Sequence, residues 1–132
     1  MQIDTINKQL EILHDSQLIA ISDDIKTSNS KLTFILENEK TTINIYLKGV
    51  ISSRSTNWKF GNIVLDASIV MHPQRVIDLL IFADELTDMQ INNKVYLETL
   101  QKIHNNELLL FELNPSYGVY YVSVCKSIEI IS

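Results

Sequence analysis

The sequence predicts an α+β fold: an antiparallel β-sheet meander flanked by two or three helices. Three observations predict it. Ile43, Ile45 and Leu47 alternate with Asn44, Tyr46 and Lys48, the period of two of a half-buried strand. Ile3, Ile6, Leu10 and Leu13 recur at helical spacing, as do Tyr96, Leu97, Leu100 and Ile103. The link Asn38-Glu39-Lys40 is short enough for a hairpin.

Taken in order, residues 3–14 read as an amphipathic helix stopped by a turn at Asp15-Ser16. Residues 18–25 read as a first strand, and the polar run Thr27 to Ser30 as a loop. Residues 31–37 and 41–52 form the clearest strand pair. Gly49, late in the second, marks a bulge or a close backbone approach. A turn carrying Trp58 and Phe60 precedes a strand at 62–70, which His72-Pro73 ends. In residues 74–87, Val76, Leu79, Leu80, Ala83 and Leu86 suit a helix face, while Ile77, Ile81 and Phe82 fall off it and leave strand as the alternative. Residues 94–104 read as a further helix. Strands at 107–113, 119–125 and 127–131 complete the chain, with a turn at 114–118.

The 132 residues suit one domain, 1–132, and the 45% apolar content suffices for one core. The N-terminus lacks the basic and apolar runs of a secretory signal, and no apolar stretch approaches a membrane span. With a single cysteine, Cys125, no internal disulfide can form, so a cytoplasmic location is expected. Cys125 lies in an apolar alternation and reads as a small buried hydrophobe.

Net charge is −5, and the excess is local. Between Asp78 and Glu112 lie seven acids and two bases, whereas the remainder holds nine of each. Such a segment repels phosphate and anionic lipid, so nucleic acid and membrane surfaces are disfavoured, and neither is expected as a partner. It would attract a basic protein. The alternative is an ordinary solvated helix surface.

The residues offer no catalytic or metal signature. His14, His72 and His104 flank different elements, and no HExxH, GxGxxG, GxxxxGK[ST] or GxSxG spacing occurs. No metal and no cofactor is expected, and the chain is not expected to be an enzyme. His14-Asp15-Ser16 holds the three residue types of a hydrolytic triad, but triad members converge through the fold, and sequence neighbours read better as a turn. Asp66, inside a strand, reads as solvent-facing in preference to a buried base. Trp58 and Phe60 read equally as a binding anchor or as a cap on the sheet core. Tyr117 reads as an exposed contact or a folded-back plug.

Several stretches, in order, resemble immunity proteins of bacterial polymorphic-toxin systems. They are Leu13 to Ser16, the strand pair closing on Gly49-Val50, the aromatic turn leading into Gly61-Asn62-Ile63-Val64-Leu65-Asp66, and Pro115-Ser116-Tyr117-Gly118 before a last strand with Cys125. The resemblance implies a sheet-rich fold that neutralises a cognate toxin, often a nuclease with a basic surface, and supplies no catalytic residue. The expected partner is therefore a basic toxin protein, met through Asp84, Glu85, Asp88 and Glu98 with Trp58 and Tyr117 as aromatic anchors, by a monomer or weak dimer. Two rivals stand beside it. One is a small-ligand or structural module with its pocket between the sheet and the 94–104 helix. The other is an enzyme using Asp66 or His14.

Overall fold

The computed structural model describes residues 3–38, 40–86 and 93–132. The chain runs α1 (Ile3–Leu10), a short 3-10 turn (Glu11–Leu13), β1 (Gln17–Asp24), β2 (Asn29–Ile35), β3 (Thr42–Lys48), β4 (Ser52–Thr56), β5 (Asn62–Ile69), α2 (Pro73–Asp84), α3 (Lys94–His104), β6 (Leu109–Tyr117), β7 (Tyr120–Cys125) and β8 (Ser127–Ile131). The eight strands make one antiparallel sheet in the order β4-β7-β6-β5-β1-β2-β3-β8. The fold is α+β. Of residues 74–87, left open between helix and strand, those up to Asp84 are helix: α2 buries Val76, Leu79, Leu80 and Ala83, with Pro73 in its first turn and the His72 ring accepting from the Arg75 amide.

The two ends of that strand order belong to one bent ribbon. β3 pairs with β8 and β4 with β7, while β3 runs into β4 and β7 into β8. The sheet therefore curls on itself. At the bend the Lys126 amide donates to the Lys48 carbonyl at 2.9 Å and the Ile51 amide to the Val124 carbonyl at 2.8 Å. Gly49 takes φ +65, and a Cβ there would come within 2.7 Å of the Lys126 side chain. Gly49 therefore turns the chain against the Lys126 side chain, where a bulge or a close backbone approach was expected, and the strand foreseen at 41–52 ends at Lys48.

Closure is incomplete. β1 pairs with β5 only through Gln17 and Leu18, then a bulge carries it away. Among the described residues the upper half of β1 and the outer edge of β4 meet no strand on their facing sides.

Two apolar layers result. The inner one joins Leu18, Leu32, Phe34, Ile43, Ile45, Leu47, Val64, Phe111 and Leu113 with the α1 stripe Ile3, Ile6 and Leu10. Asn7 of α1 locks to β5, donating to the Ile69 carbonyl and accepting from the Ile69 amide at 2.6 Å. The outer layer packs α2 and α3 on Leu108, Leu110, Val122 and Val124. β6 and β7 are thus buried on both faces, which is why they read as near-continuous apolar runs. Each fully buried Leu or Val here stabilises by about 1.5–3 kcal/mol.

Two expectations are corrected. β6 continues through Pro115 to Tyr117, so the turn expected at 114–118 shrinks to Gly118-Val119. Pro115 is tolerated because β7 pairs with β6 only as far as Leu113 and the β5 side is bulged at Val64. The polar strand β4 was not foreseen, since serines and an arginine carry no apolar alternation. Among the described residues no helix is long and apolar enough to cross a membrane.

Candidate functional site

The loop 57–61 and the Gly118-Val119 turn lie side by side at one end of the sheet, and Asn62 holds them together. Its side chain is buried at the start of β5. Its Oδ1 accepts from the Lys59 amide at 2.8 Å and the Val119 amide at 3.0 Å, and its Nδ2 donates to the Lys59 carbonyl at 2.8 Å. A longer bond of 3.5 Å reaches the Leu18 carbonyl. Asn57 donates across to the Gly118 carbonyl at 3.3 Å. Gly118 sits at φ +93 directly against Asn62, so a side chain there would collide with the clamp.

On this frame stand three exposed aromatics: Trp58 at 48%, Tyr117 at 55% and Phe60 fully in solvent. Phe60 therefore does not cap the core and Tyr117 is no folded-back plug, whereas Trp58 keeps about half of its surface covered and borders the same cleft as Ile21 and Tyr121. Tyr117 sits opposite Ile63, immediately after the clamp. The structure brings Trp58 and Tyr117 to the same end and adds Phe60 beside them. Sequence reasoning missed Asn62. The signal available was an asparagine between Gly61 and an apolar run, where turn chemistry is common.

The acid-rich segment is distributed differently. Asp84 ends α2 in solvent, and Glu85 caps it at φ 51. Glu85 Oε1 lies 3.1 Å from Arg54 Nε. Arg54 also stacks 4.3 Å over the Phe82 ring and donates to the Phe82 carbonyl at 3.2 Å. Glu98 lies on α3, its carboxylate 3.8 Å from Lys94 Nζ one turn away. Glu112 is buried on β6, held by Arg75 of α2 and by the Tyr120 hydroxyl at 2.6 Å. Its bond to Arg75 raises that guanidinium further, and burial first, then Glu112, pushes the Tyr120 phenol up. Three of the seven acids are thus paired with bases, whereas Asp78, Asp84 and Glu107 remain exposed. Asp88 lies outside the described residues.

The residues weighed for chemistry are placed as follows. His14 and Asp15 are exposed and 3.4 Å apart, with His14 Nδ1 on the Leu65 carbonyl at 2.6 Å. Ser16 is fully buried, and its Oγ bonds to neither of them. The three side chains do not converge. Asp66 faces solvent and accepts from Asn114 at 2.9 Å. Cys125 is buried, and desolvation pushes its thiol up to about 12. Among the described residues no three His, Cys, Asp or Glu side chains are grouped to hold a metal ion.

A groove of about 690 Å³ opens between α3 and the sheet, lined by Ile69, Val76, Ile77, Leu97, Leu100 and Leu110 among others. It occupies the place the sequence suggested for a ligand pocket. No protein-family model matches the chain, and no curated protein or solved structure shows significant similarity to it.

Proposed function

We propose that this chain is a stoichiometric inhibitor of the immunity type, binding a basic toxin domain in the cytoplasm and occluding it without chemistry of its own. The observation that carries the reading is the aromatic end: Trp58, Phe60 and Tyr117 exposed together on a frame clamped by Asn62. Three large aromatics in water are unfavourable for a free monomer, and rigid aromatics are the residues that dominate protein interfaces. A preformed frame also lowers the entropic cost of association. Asp84, with the partly neutralised Glu85 and Glu98, supplies rim charge that speeds encounter with a basic surface and adds little affinity. The test is a tagged pull-down from the native cell at low salt, followed by purification of the captured protein and titration against this chain. A basic toxin domain bound one to one, and inhibited on binding, is the expected result. An enzyme left fully active when saturated would end the proposal.

The groove under α3 favours a second reading, a module for an apolar small molecule. Its volume and its largely aliphatic lining are in the range of ligand sites. Leu100→Trp would fill it. A ligand-induced rise in Tm that this variant abolishes would favour that reading over the first.

A further inference from the structure

The gap where the curled sheet fails to close leaves an open cleft on the surface. It is a slot of about 570 Å³ between the unpaired edges of β1 and β4, bordered by Ile21, Asp23, Ser53, Ser55, Trp58 and Tyr121. Strand pairing sets which side chains face it. Asp23 is opposite Ser30, Ser53 opposite Ser123 and Ser55 opposite Tyr121, so these side chains share one face, with Asp23, Ser53 and Ser55 exposed at the rim and Tyr121, Ser30 and Ser123 buried behind them. Tyr121 is 2% exposed, and its hydroxyl makes no hydrogen bond among the described residues, although the Ser123 and Ser30 hydroxyls lie near it. Burial pushes its phenol up to about 12 against the opposing pull of the Ser123 hydroxyl, with the Asp23 carboxylate adding to the rise, so it stays protonated. A loosely bonded hydroxyl of this kind is free to accept from a bound polar group.

The sign of that group follows from the charges. Asp23 accepts from Ser30 Oγ at 2.6 Å but has no ion-pair partner among the described residues. Arg54, the one cation bordering the slot among the described residues, is held by Glu85, the Phe82 ring and the Phe82 carbonyl on α2. A carboxylate, hydroxyl acceptors and an indole wall suit a compact cation, and an anion would face Asp23. We propose that the slot between β1 and β4 binds one protonated amine or guanidinium, seated against Asp23, Tyr121 and Trp58. Its source is either a basic side chain of a partner protein, which rests on the inhibitor reading, or a free polyamine.

Trp58 is the chain's sole tryptophan, so its fluorescence reads the slot directly. The full chain is titrated with N-acetyl-lysinamide, with spermidine and with the neutral N-acetyl-norleucinamide. A saturable change with the cations and none with the neutral probe is expected. Asp23→Asn should weaken it at least about tenfold, the usual scale for one hydrogen-bonded charge. Tyr121→Phe, which removes only the hydroxyl, should fold normally and bind more weakly. Glu107→Gln, which neutralises an exposed acid outside the slot, should bind like the wild type. Tighter binding of the lysine amide supports the site with a protein side chain as its source, and tighter binding of spermidine supports it with a polyamine. A response that does not saturate, is shared by the neutral probe or survives Asp23→Asn overturns the proposal. No toxin enters the assay, so its failure is distinct from failure of the inhibitor reading.

Discussion

The aromatic end and the acid-bearing helical layer differ in how their side chains are satisfied. Around Asn62 the polar atoms are bonded inward while Trp58, Phe60 and Tyr117 are left in water. On α2 and α3 part of each apolar stripe is buried, and Glu85, Glu98 and Glu112 each have a base within reach, while Asp78, Asp84 and Glu107 stay exposed. A surface whose charges are partly paired has less to offer a partner than one whose large aromatics stand exposed on a clamped loop. On the inhibitor proposal, the first region would supply binding energy and the second encounter rate and the support of β6 and β7.

The strongest way to break the comparison is Asn62→Ala. It leaves the Lys59 and Val119 amides and the Lys59 carbonyl without their partner, at a cost of about 3 kcal/mol or more in urea unfolding. Partner binding should fall with it, because the frame is lost. Arg75→Ala tests the other region. Glu112 would remain buried with the Tyr120 hydroxyl as its remaining donor among the described residues, so about 2–3 kcal/mol of stability should go. Partner affinity should hold. Equal losses of affinity in these two variants would erase the distinction.

The smallest expected effect is electrostatic and sharpens the edge of the first region. His14 has its pKa raised above 6.5, first by the Leu65 carbonyl and then by Asp15. A folded value above the unfolded one stabilises the fold fully below 6.5, and the contribution is lost as pH rises through the folded value. His14→Gln should therefore unfold more readily than wild type near about pH 5.5 and match it near about pH 9. A gap that persists in alkali would show that His14 contributes by packing.

What the sequence made legible follows from how local each cause is. α1 and α3 were readable because Ile3, Ile6 and Leu10, and Tyr96 and Ile103, repeat every turn against one neighbour. β3 was readable from strict alternation. β4 was not, because one face of Ser52–Thr56 meets α2 and the other the slot, and neither demands apolar residues. The ribbon that joins β3–β4 to β7–β8 spans over 70 residues of sequence, so curling and slot could not be anticipated from local pattern. Of the aromatics, the turn carrying Trp58 and Phe60 was legible, whereas Tyr117, expected in a turn, ends β6, and the exposure of all three was not legible. The seven-acid excess was legible as a count, but its pairing with Arg54 and Arg75 depends on tertiary contact.

If the aromatic end carries the affinity, calorimetry with the purified partner will show it. The purified partner is titrated calorimetrically against the wild type, against the combined Trp58→Ala, Phe60→Ala and Tyr117→Ala variant, and against the Asp84→Lys, Glu85→Lys and Glu98→Lys variant. Loss of about 4 kcal/mol or more is expected for the aromatic variant, with its unfolding midpoint unchanged. The charge-reversed variant should lose mainly association rate and salt dependence. Full affinity in the aromatic variant, with binding abolished by charge reversal, would contradict the account and place the interface on the helical layer.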